Sequence, residues 1–254
     1  MYRLRKQVEM RDKKATFIGI GDIHYGNPNC KIKKVKELVE WIKNKPACYV
    51  IGMGDYLDCI IPTDPRYDAT TSYTLLDSAV RVMEDILAPI KDRILVMITG
   101  GHELKIAKKG YGDPTLRICR ELNVPYGGFS CFLKVQPPRE FHNRAVMFYI
   151  QHGWSAGRLT GNKVNNIERL AQYYEADVYM AGHSHDCWST KRIKIGYNGA
   201  TKKLFVNTGT FLETATWGTT GYSEVKGFPP LDLGVVKITW EIKRNNKNKL
   251  TASE

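Results

Sequence analysis

Short, continuous apolar runs occur along the chain, and most of them are rich in β-branched residues. They occupy residues 17–20, 49–53, 94–98, 146–150, 178–181 and 204–206. Runs of this length and composition are typical of strands that are buried on both faces. Residues 235–240 instead alternate apolar and polar side chains, which predicts a strand with one exposed face.

Three segments between these runs have apolar residues at helical spacing. Such stripes predict helices that turn one face to the core. Asp113 and Pro114 predict the start of a fourth helix, with Asp as the N-cap and Pro in the first turn. The three stripes are Ile32, Val35, Val39 and Ile42; Leu76, Ala79, Val80, Met83, Leu87 and Ile90; and Val164, Ile167, Leu170, Ala171 and Tyr174.

Strands and helices alternate as far as residue 187, and strands dominate after it. This order predicts an α/β fold with two packed sheets. A chain of 254 residues fits one large α/β domain. We therefore expect a single domain over residues 1–254, with its motif-bearing core at about 15–242 and a frayed basic tail at 243–254.

Composition narrows the class of protein. A hydrophobic fraction of 43% is typical of a globular protein with a substantial core. No apolar run is long enough to cross a bilayer and the N-terminus carries no hydrophobic signal segment, so we expect a cytoplasmic protein without a membrane partner. The 6 cysteines show no C-x-x-C spacing, which argues against a disulfide framework and a thiolate zinc site.

The net charge of +12 has two interpretations. It favours a polyanionic partner such as nucleic acid, because phosphates attract lysine and arginine and release counterions on binding. The alternative is a well-solvated basic surface, since the lysines are spread along the chain. The sequence carries no signal for the oligomeric state.

Five short polar motifs each follow an apolar run. In open α/β sheets, ligands bind beyond the carboxyl ends of the strands, so these motifs predict one shared site. Asp22 and His24 lie two positions apart and would leave the same face of an extended segment, and His183 and His185 repeat that spacing. The motifs are Gly21-Asp22-Ile23-His24, Gly54-Asp55-Tyr56-Leu57-Asp58, Gly100-Gly101-His102-Glu103, Gln151-His152-Gly153 and Gly182-His183-Ser184-His185.

Carboxylates and imidazoles gathered in this way indicate a metal site. Buried Asp side chains require a cation or a partner. Mixed oxygen and nitrogen ligands suit Mn²⁺, Fe and Zn²⁺ better than Mg²⁺, which prefers oxygen ligands alone.

The order of the motifs resembles the calcineurin-like metallophosphoesterases, whose pattern is D-x-H, GD-x-x-D, GNH-[ED], H and GH-x-H. The resemblance spans roughly residues 17–210. It implies an αββα sandwich of two packed mixed β-sheets flanked by helices, and a divalent-metal-dependent phosphoesterase with two metal ions. Mn²⁺ is the expected ion, with Fe, Zn²⁺ and Ni²⁺ as alternatives. By position, metal one takes Asp22, His24, Asp55 and His185, and metal two shares Asp55 and takes His152 and His183.

The same resemblance assigns the acid of the reaction. It implies that His102 is a general acid that protonates the leaving-group oxygen while a metal-activated hydroxide attacks the phosphate. Asp58 is expected to orient His102 and to favour its cationic form. For Asp58 a helix N-cap is the structural alternative. Glu103 is expected to support the site rather than to take part in catalysis.

Gly101 departs from the pattern, because the family has a ligating Asn there. Metal two then keeps only Asp55, His152 and His183 from the protein, and its affinity should fall. A natural relaxed site, a one-metal enzyme and an engineered change from Asn to Gly remain as interpretations.

The segment after His152 is rich in glycine and carries Arg158 and Lys163. A guanidinium and an ammonium just beyond a metal ligand predict substrate-phosphate binding. The alternative is a glycine-rich turn that leads into the helix at 163.

The sequence therefore predicts a phosphodiesterase or nuclease acting on nucleic acid or a nucleotide, a preference that rests mainly on the positive charge. A phosphomonoesterase or phosphoprotein phosphatase is the first alternative. The second is a weakly active or inactive binding scaffold, since Gly101 replaces a ligand and fold does not determine function.

Overall fold

A computed structural model describes residues 1–64, 66–67, 74–141, 145–154, 159–197, 199–215, 227, 229–243 and 247–254. The strands are β1 Tyr2–Gln7, β2 Lys14–Ile20, β3 Cys48–Gly52, β4 Ile94–Met97, β5 Ser130–Gln136, β6 Val146–Gln151, β7 Val178–Ala181, β8 Cys187–Gly196, β9 Gly199–Thr208, β10 Lys237–Ile242 and β11 Asn248–Ser253. The α-helices are α1 Ile32–Asn44, α2 Leu76–Leu87, α3 Gly101–Ile106, α4 Pro114–Leu122 and α5 Thr160–Tyr173.

The strands form two mixed sheets. One has 6 strands in the order β1-β5-β6-β7-β9-β8, and the other has 5 in the order β11-β10-β2-β3-β4. β2, β3 and β4 run parallel to one another, as do β6, β7 and β9. The carboxyl ends of these parallel strands therefore meet at one edge of each sheet.

Apolar residues pack in three layers. Phe17, Ile51 and Phe148 belong to the cluster between the two sheets. Ile18 and Val50, on the opposite face of the five-stranded sheet, pack with α1, α2 and α4, while α5 covers the six-stranded sheet. Because both faces of the central strands are covered, the apolar runs are continuous. The predicted αββα sandwich is confirmed.

The periodic helices are confirmed at α1, α2 and α5. α4 begins as predicted, with the Asp113 side chain accepting hydrogen bonds from the backbone N–H groups of Thr115 and Leu116. The predicted frayed tail is wrong for residues 248–253. They form β11, which pairs antiparallel with β10. The sequence did not predict this strand because its side chains are largely polar. The backbone alone supplies the hydrogen bonds of the pairing.

The centre of the five-stranded sheet joins segments that are far apart in sequence. β2 pairs with β3 on one side and with β10 on the other, where Lys14 lies opposite Glu241. Among the described residues, no helix is both long and apolar enough to span a bilayer.

Candidate metal centre and active site

Loops from both sheets meet at the edge where the parallel strands end. The Asp22 N–H donates to the Gly54 carbonyl at 2.9 Å, which joins the loops after β2 and β3. The His183 N–H donates to Asp22 Oδ2 at 2.9 Å, which joins the loop after β7 of the other sheet. The motifs, separated in sequence, thus line one site.

The first group of candidate ligands is Asp22, His24 and His185. His24 Nε2 and His185 Nε2 lie 3.1 Å apart, and they lie 3.8 and 3.4 Å from Asp22 Oδ1. Ligands about 2.0–2.2 Å from one cation at angles near 90–110° are separated by about 3–3.6 Å. Two of the three distances fall in this range and the His24–Asp22 distance of 3.8 Å is slightly longer, so the three atoms lie close enough to share a cation.

The second group is Asp55, His152 and His183, whose ligand atoms lie within 4.8 Å of one another. Asp55 Oδ2 lies 3.1 Å from His152 Nε2. His152 Nδ1 lies 2.7 Å from the Met53 carbonyl oxygen, which can only accept, so Nδ1 donates and Nε2 is the nitrogen that lies beside Asp55 in the site. The predicted sharing of Asp55 between two metals stays a prediction.

Among the described residues, three buried atoms of these groups have no hydrogen-bond partner, namely Asp22 Oδ1, His24 Nδ1 and His152 Nε2. A buried polar atom without a partner carries a free-energy cost that a bound cation removes. With the carboxylate and imidazole donor set, this makes both groups fit to bind divalent metal.

The charges within the groups balance one another. Burial lowers the pKa of His24, but the Asp22 and Asp58 carboxylates outweigh it and raise this pKa to about 10. His152 behaves alike, since Asp55 outweighs burial and raises its pKa to about 10. Burial opposes ionisation of Asp55, but His152 and its neighbours hold the pKa of that carboxyl well below the usual range. The imidazoles and carboxylates therefore stabilise one another's charged forms.

The backbone at the ligands differs from the extended geometry expected from sequence. Asp22, His24, Asp55, His183 and His185 all have left-handed backbone, with φ between 47 and 67°. Non-glycine residues adopt this conformation rarely, and it clusters at functional sites. At these five residues, neighbouring candidate ligands therefore converge through left-handed backbone and not through a shared strand face.

His102 stands beside the first group at the start of α3. Its ring centroid is 4.6 Å from that of His24. His102 Nδ1 lies 2.7 Å from the Asp58 carbonyl oxygen and 3.3 Å from Asp58 Oδ1, so Nδ1 is a donor and Nε2 is the other ring nitrogen. Asp58 also lies 3.3 Å from His24 Nδ1. The described residues just after Asp58 are not helical, so an N-cap is not its role here.

Glu103 is buried beneath the motifs. Its carboxylate accepts hydrogen bonds at 3.0 Å from the N–H groups of Asp55, Leu57 and Gly100. Burial and the Asp55 charge raise the pKa of Glu103 to about 8, and the Leu57 N–H opposes that rise. Glu103 fastens the loop after β3 to α3, which agrees with a supporting role.

Gly101 leaves space where the family pattern has a side chain. A Cβ at this position would lie 4.0 Å from Asp55 Oδ1, and no other described atom outside its own helix lies within 4 Å; its φ is not in the left-handed region. At Gly100 a Cβ would lie 2.1 Å from the Asp55 nitrogen, which no side chain could tolerate. Only the second glycine of the pair could be replaced.

Of the two predicted substrate-binding residues, the structure describes Lys163 but not Arg158. Arg158 lies outside the described residues. Lys163 is buried on α5, with Nζ 2.7 Å from Asp186 Oδ2 and 3.4 Å from the Ser184 carbonyl oxygen. Its ammonium group therefore supports the loop that carries His183 and His185, and substrate contact by Lys163 stays a prediction.

Three residues near the site were not found from sequence. Asn27 Nδ2 donates to Asp58 Oδ2 at 3.1 Å, and Thr210 Oγ1 donates to the Asp22 carbonyl at 2.9 Å. An Arg66 NH1 nitrogen lies 2.9 Å from His102 Nε2. The proximity of Asn27 to the first motif was a usable signal. No sequence signal marks Thr210 or Arg66, because only the fold brings these residues to the site.

Solved structures of similar proteins are distant in sequence. A single mutant of Vps29 from Entamoeba histolytica is 12% identical, with 94% of this chain and 99% of that chain covered and a TM-score of 0.45. A conserved predicted phosphoesterase from Streptococcus pneumoniae TIGR4 is 14% identical, with 94% and 98% covered and a TM-score of 0.40. A metallophosphoesterase from Sphaerobacter thermophilus is 10% identical, with 94% and 88% covered and a TM-score of 0.39.

No curated protein matches the chain. The model of the calcineurin-like phosphoesterase family matches residues 15–187, a segment that contains both ligand groups, Asp58 and His102. The chain belongs to the calcineurin-like phosphoesterase family.

Proposed function

We propose that the protein is a phosphodiesterase that depends on two divalent metal ions, with Mn²⁺ as the preferred ion. One observation carries the proposal: of three groups of largely buried Asp and His side chains that have the spacing of metal ligands in the described part of the chain, two lie at one edge of the sandwich with the imidazole of the third beside them. The groups are Asp22, His24 and His185, and Asp55, His152 and His183, and the imidazole is His102.

Divalent cations bound by these residues would neutralise phosphate charge and lower the pKa of a water molecule. The left-handed turns fix the ligands before substrate arrives, and Glu103 holds two of the loops together. Mn²⁺ is favoured because carboxylate oxygen and imidazole nitrogen occur in both groups.

His102 is placed to act as the general acid. In the reaction a water molecule that has released one proton to the solvent forms the new P–O bond through its oxygen, the bond to the leaving-group oxygen breaks, and the Nε2 proton moves to that oxygen. The Asp58 carbonyl and carboxylate accept from Nδ1 and direct Nε2 away from Asp58. Arg66 NH1 lies 2.9 Å from Nε2, and because a guanidinium only donates, Nε2 is the acceptor in this contact. Protonation of Nε2 for the acid step would release Arg66, whose guanidinium can then bind phosphate oxygens beside it.

The test compares a diester with a monoester after metal removal. Protein dialysed against chelator should be inactive, and Mn²⁺ should restore hydrolysis of bis-(p-nitrophenyl) phosphate more than of p-nitrophenyl phosphate. Asp22→Asn should abolish this activity. Asp92→Asn, the same change at an exposed position outside the site, should preserve it. Full activity in excess chelator would refute the metal mechanism, and a faster monoester would make the protein a phosphomonoesterase.

A binding scaffold is the second candidate, and the absent side chain of Gly101 is the observation that favours it. Elemental analysis separates the two. A phosphodiesterase purified with Mn²⁺ should retain close to two ions per chain, whereas a scaffold has no need of either.

A further inference from the structure

A basic pocket lies next to His102. It is formed by the end of α3, the helical turn that follows it, and the side chains of Asp64 and Arg66. Its volume is about 520 Å³, and its lining residues, called here the lysine pocket, are Asp64, Arg66, Lys105, Ile106, Lys108 and Lys109. Lys109 Nζ donates to Thr63 Oγ1 at 3.1 Å, which ties the helical turn to the segment just before Asp64.

The charge of the lysine pocket is strongly unbalanced. Four of its lining residues are cationic and one is acidic. That acid, Asp64, already binds Arg66 through contacts of 2.9 and 2.8 Å. Lys105, Lys108 and Lys109 are exposed and have no acidic partner within 4.0 Å in the part of the chain that the structure describes. Such a group of ammonium ions is suited to bind an anion.

The position of the lysine pocket relative to the reacting phosphate indicates which anion it would bind. Arg66 lines the pocket and also reaches His102 Nε2, at 2.9 Å. Lys105 lies one helical turn beyond His102, a spacing of about 5–6 Å between Cβ atoms. A general acid stands on the leaving-group side of the scissile phosphate. The pocket therefore continues the site in the direction of the leaving group.

We infer that the lysine pocket binds a second phosphate, carried by the leaving-group part of the substrate. The inference rests on the proposed function, because the direction comes from His102 as general acid. The substrate class is then a diester with at least one further phosphate beyond the scissile one. A polynucleotide strand is the source that agrees with the net charge of +12, and a small phosphorylated alcohol has the same chemistry.

Short thymidine substrates test the second phosphate directly. TpT has no phosphate beyond the scissile one, whereas pTpT and TpTp each place one on a different side. One of these two should be hydrolysed with a kcat/KM about tenfold above that of TpT, as expected for added charge-assisted contacts. The Lys105→Gln/Lys108→Gln variant should lose this gain and should hydrolyse TpT as the original chain does.

A matched control separates the pocket from general charge. Lys33 and Lys36 are exposed on α1 with the same spacing of three positions, so Lys33→Gln/Lys36→Gln removes equal charge elsewhere. The Lys33→Gln/Lys36→Gln variant should keep the rise in kcat/KM that the second phosphate gives. The inference is overturned if both double variants behave alike, or if Lys105→Gln/Lys108→Gln slows TpT as much as the phosphorylated dinucleotides.

Binding in chelator distinguishes the sources and does not depend on catalysis. Anisotropy of a fluorescent dodecathymidylate should show a Kd raised at least about fivefold by Lys105→Gln/Lys108→Gln. The salt slope should fall by about 0.7 for each phosphate that the variant no longer neutralises. If tripolyphosphate displaces the fluorescent oligonucleotide better than unlabelled dodecathymidylate does, the substrate is a small phosphorylated alcohol and not a polynucleotide. If no diester is hydrolysed, the proposed function fails, and an unchanged Kd then overturns the pocket as well.

Discussion

The side chain that Gly101 lacks is the clearest difference between this chain and its family pattern. The site offers room for it, since among the described atoms outside its own helix a Cβ would approach Asp55 Oδ1 alone, at 4.0 Å, and the backbone φ is not left-handed. We expect the present chain to bind Mn²⁺ in two unequal steps. Gly101→Asn should lower the weaker Kd by about tenfold or more, the change expected for about 1.4 kcal/mol of added binding.

Isothermal titration with Mn²⁺ on both forms checks this expectation. Gly101→Ala is the control, because it adds a Cβ without an amide oxygen and should leave the two steps apart. Two equal steps in the present chain, with no gain from Asn, would mean that another group completes the second site.

His102 should be important for catalysis without binding metal. We expect His102→Ala to lower kcat by about 10²–10⁴ and to leave metal content unchanged. The loss should shrink for p-nitrophenyl leaving groups, which depart without a proton. Steady-state kinetics with elemental analysis make the measurement. A variant that lost metal would show that His102 is a ligand.

At the residue scale, the sequence predicted which side chains belong to the site better than it predicted their backbone conformation. That these Asp and His side chains lie together could be predicted, because few buried side chains suit a cation and the order of the motifs matched a family; their role as ligands stays a prediction. The left-handed backbone at Asp22 and His183 could not be predicted from the sequence. Hydrogen bonds between adjacent loops stabilise this backbone, and no local sequence pattern encodes it. Arg66 could not be predicted either, since it reaches His102 across 36 positions of sequence.

At the scale of elements, Glu103 connects α3 with the loop after β3. Removing its carboxylate leaves buried N–H groups of Asp55, Leu57 and Gly100 without an acceptor. Each such group costs about 1–3 kcal/mol, so Glu103→Ala should lower the free energy of unfolding by about 3 kcal/mol or more. Glu103→Gln keeps one acceptor oxygen and should cost less.

Urea denaturation compares these variants with Glu37→Ala, a change at an exposed position of α1. That control should stay within about 0.5 kcal/mol of the original chain. Equal stability of the Glu103→Ala and Glu37→Ala variants would show that Glu103 does not hold the two elements together.

The elements were predictable where periodicity was strong. α1 and α2 bury a continuous apolar stripe, α5 buries Ile167 and Leu170 of its stripe, and the central strands are covered on both faces. β1 and β11 were missed because they lie at sheet edges, where main-chain hydrogen bonds stabilise strands with polar side chains. β10 was expected at 235–240 and lies at Lys237–Ile242, a shift of the boundary within the same alternating pattern.

At the scale of the molecule, the ligand groups join the two sheets. His152 and His183 follow strands of one sheet, and Asp55 follows a strand of the other. A cation held between them should therefore stabilise the sandwich as a whole. At a Mn²⁺ concentration of 100 Kd, one site contributes about 2.7 kcal/mol. For a chain of this size we expect a rise in Tm of about 5–10 °C.

Thermal denaturation with and without chelator measures this shift. The Asp22→Asn variant should show a smaller rise than the Asp92→Asn variant. A Tm that does not respond to Mn²⁺ in the original chain would indicate that the ligand groups bind no metal in the folded state.

The pairing of β2 with β10 sets the order in which the protein can be completed during synthesis. β2 meets β3 soon after it leaves the ribosome, but its other edge waits until residues 237–242 have been made. Contacts between such distant segments form slowly, and an unpaired strand edge can recruit another chain. A nascent chain stalled before residue 237 would therefore expose the middle of a sheet, and chaperones that cover strand edges should associate with it until translation ends.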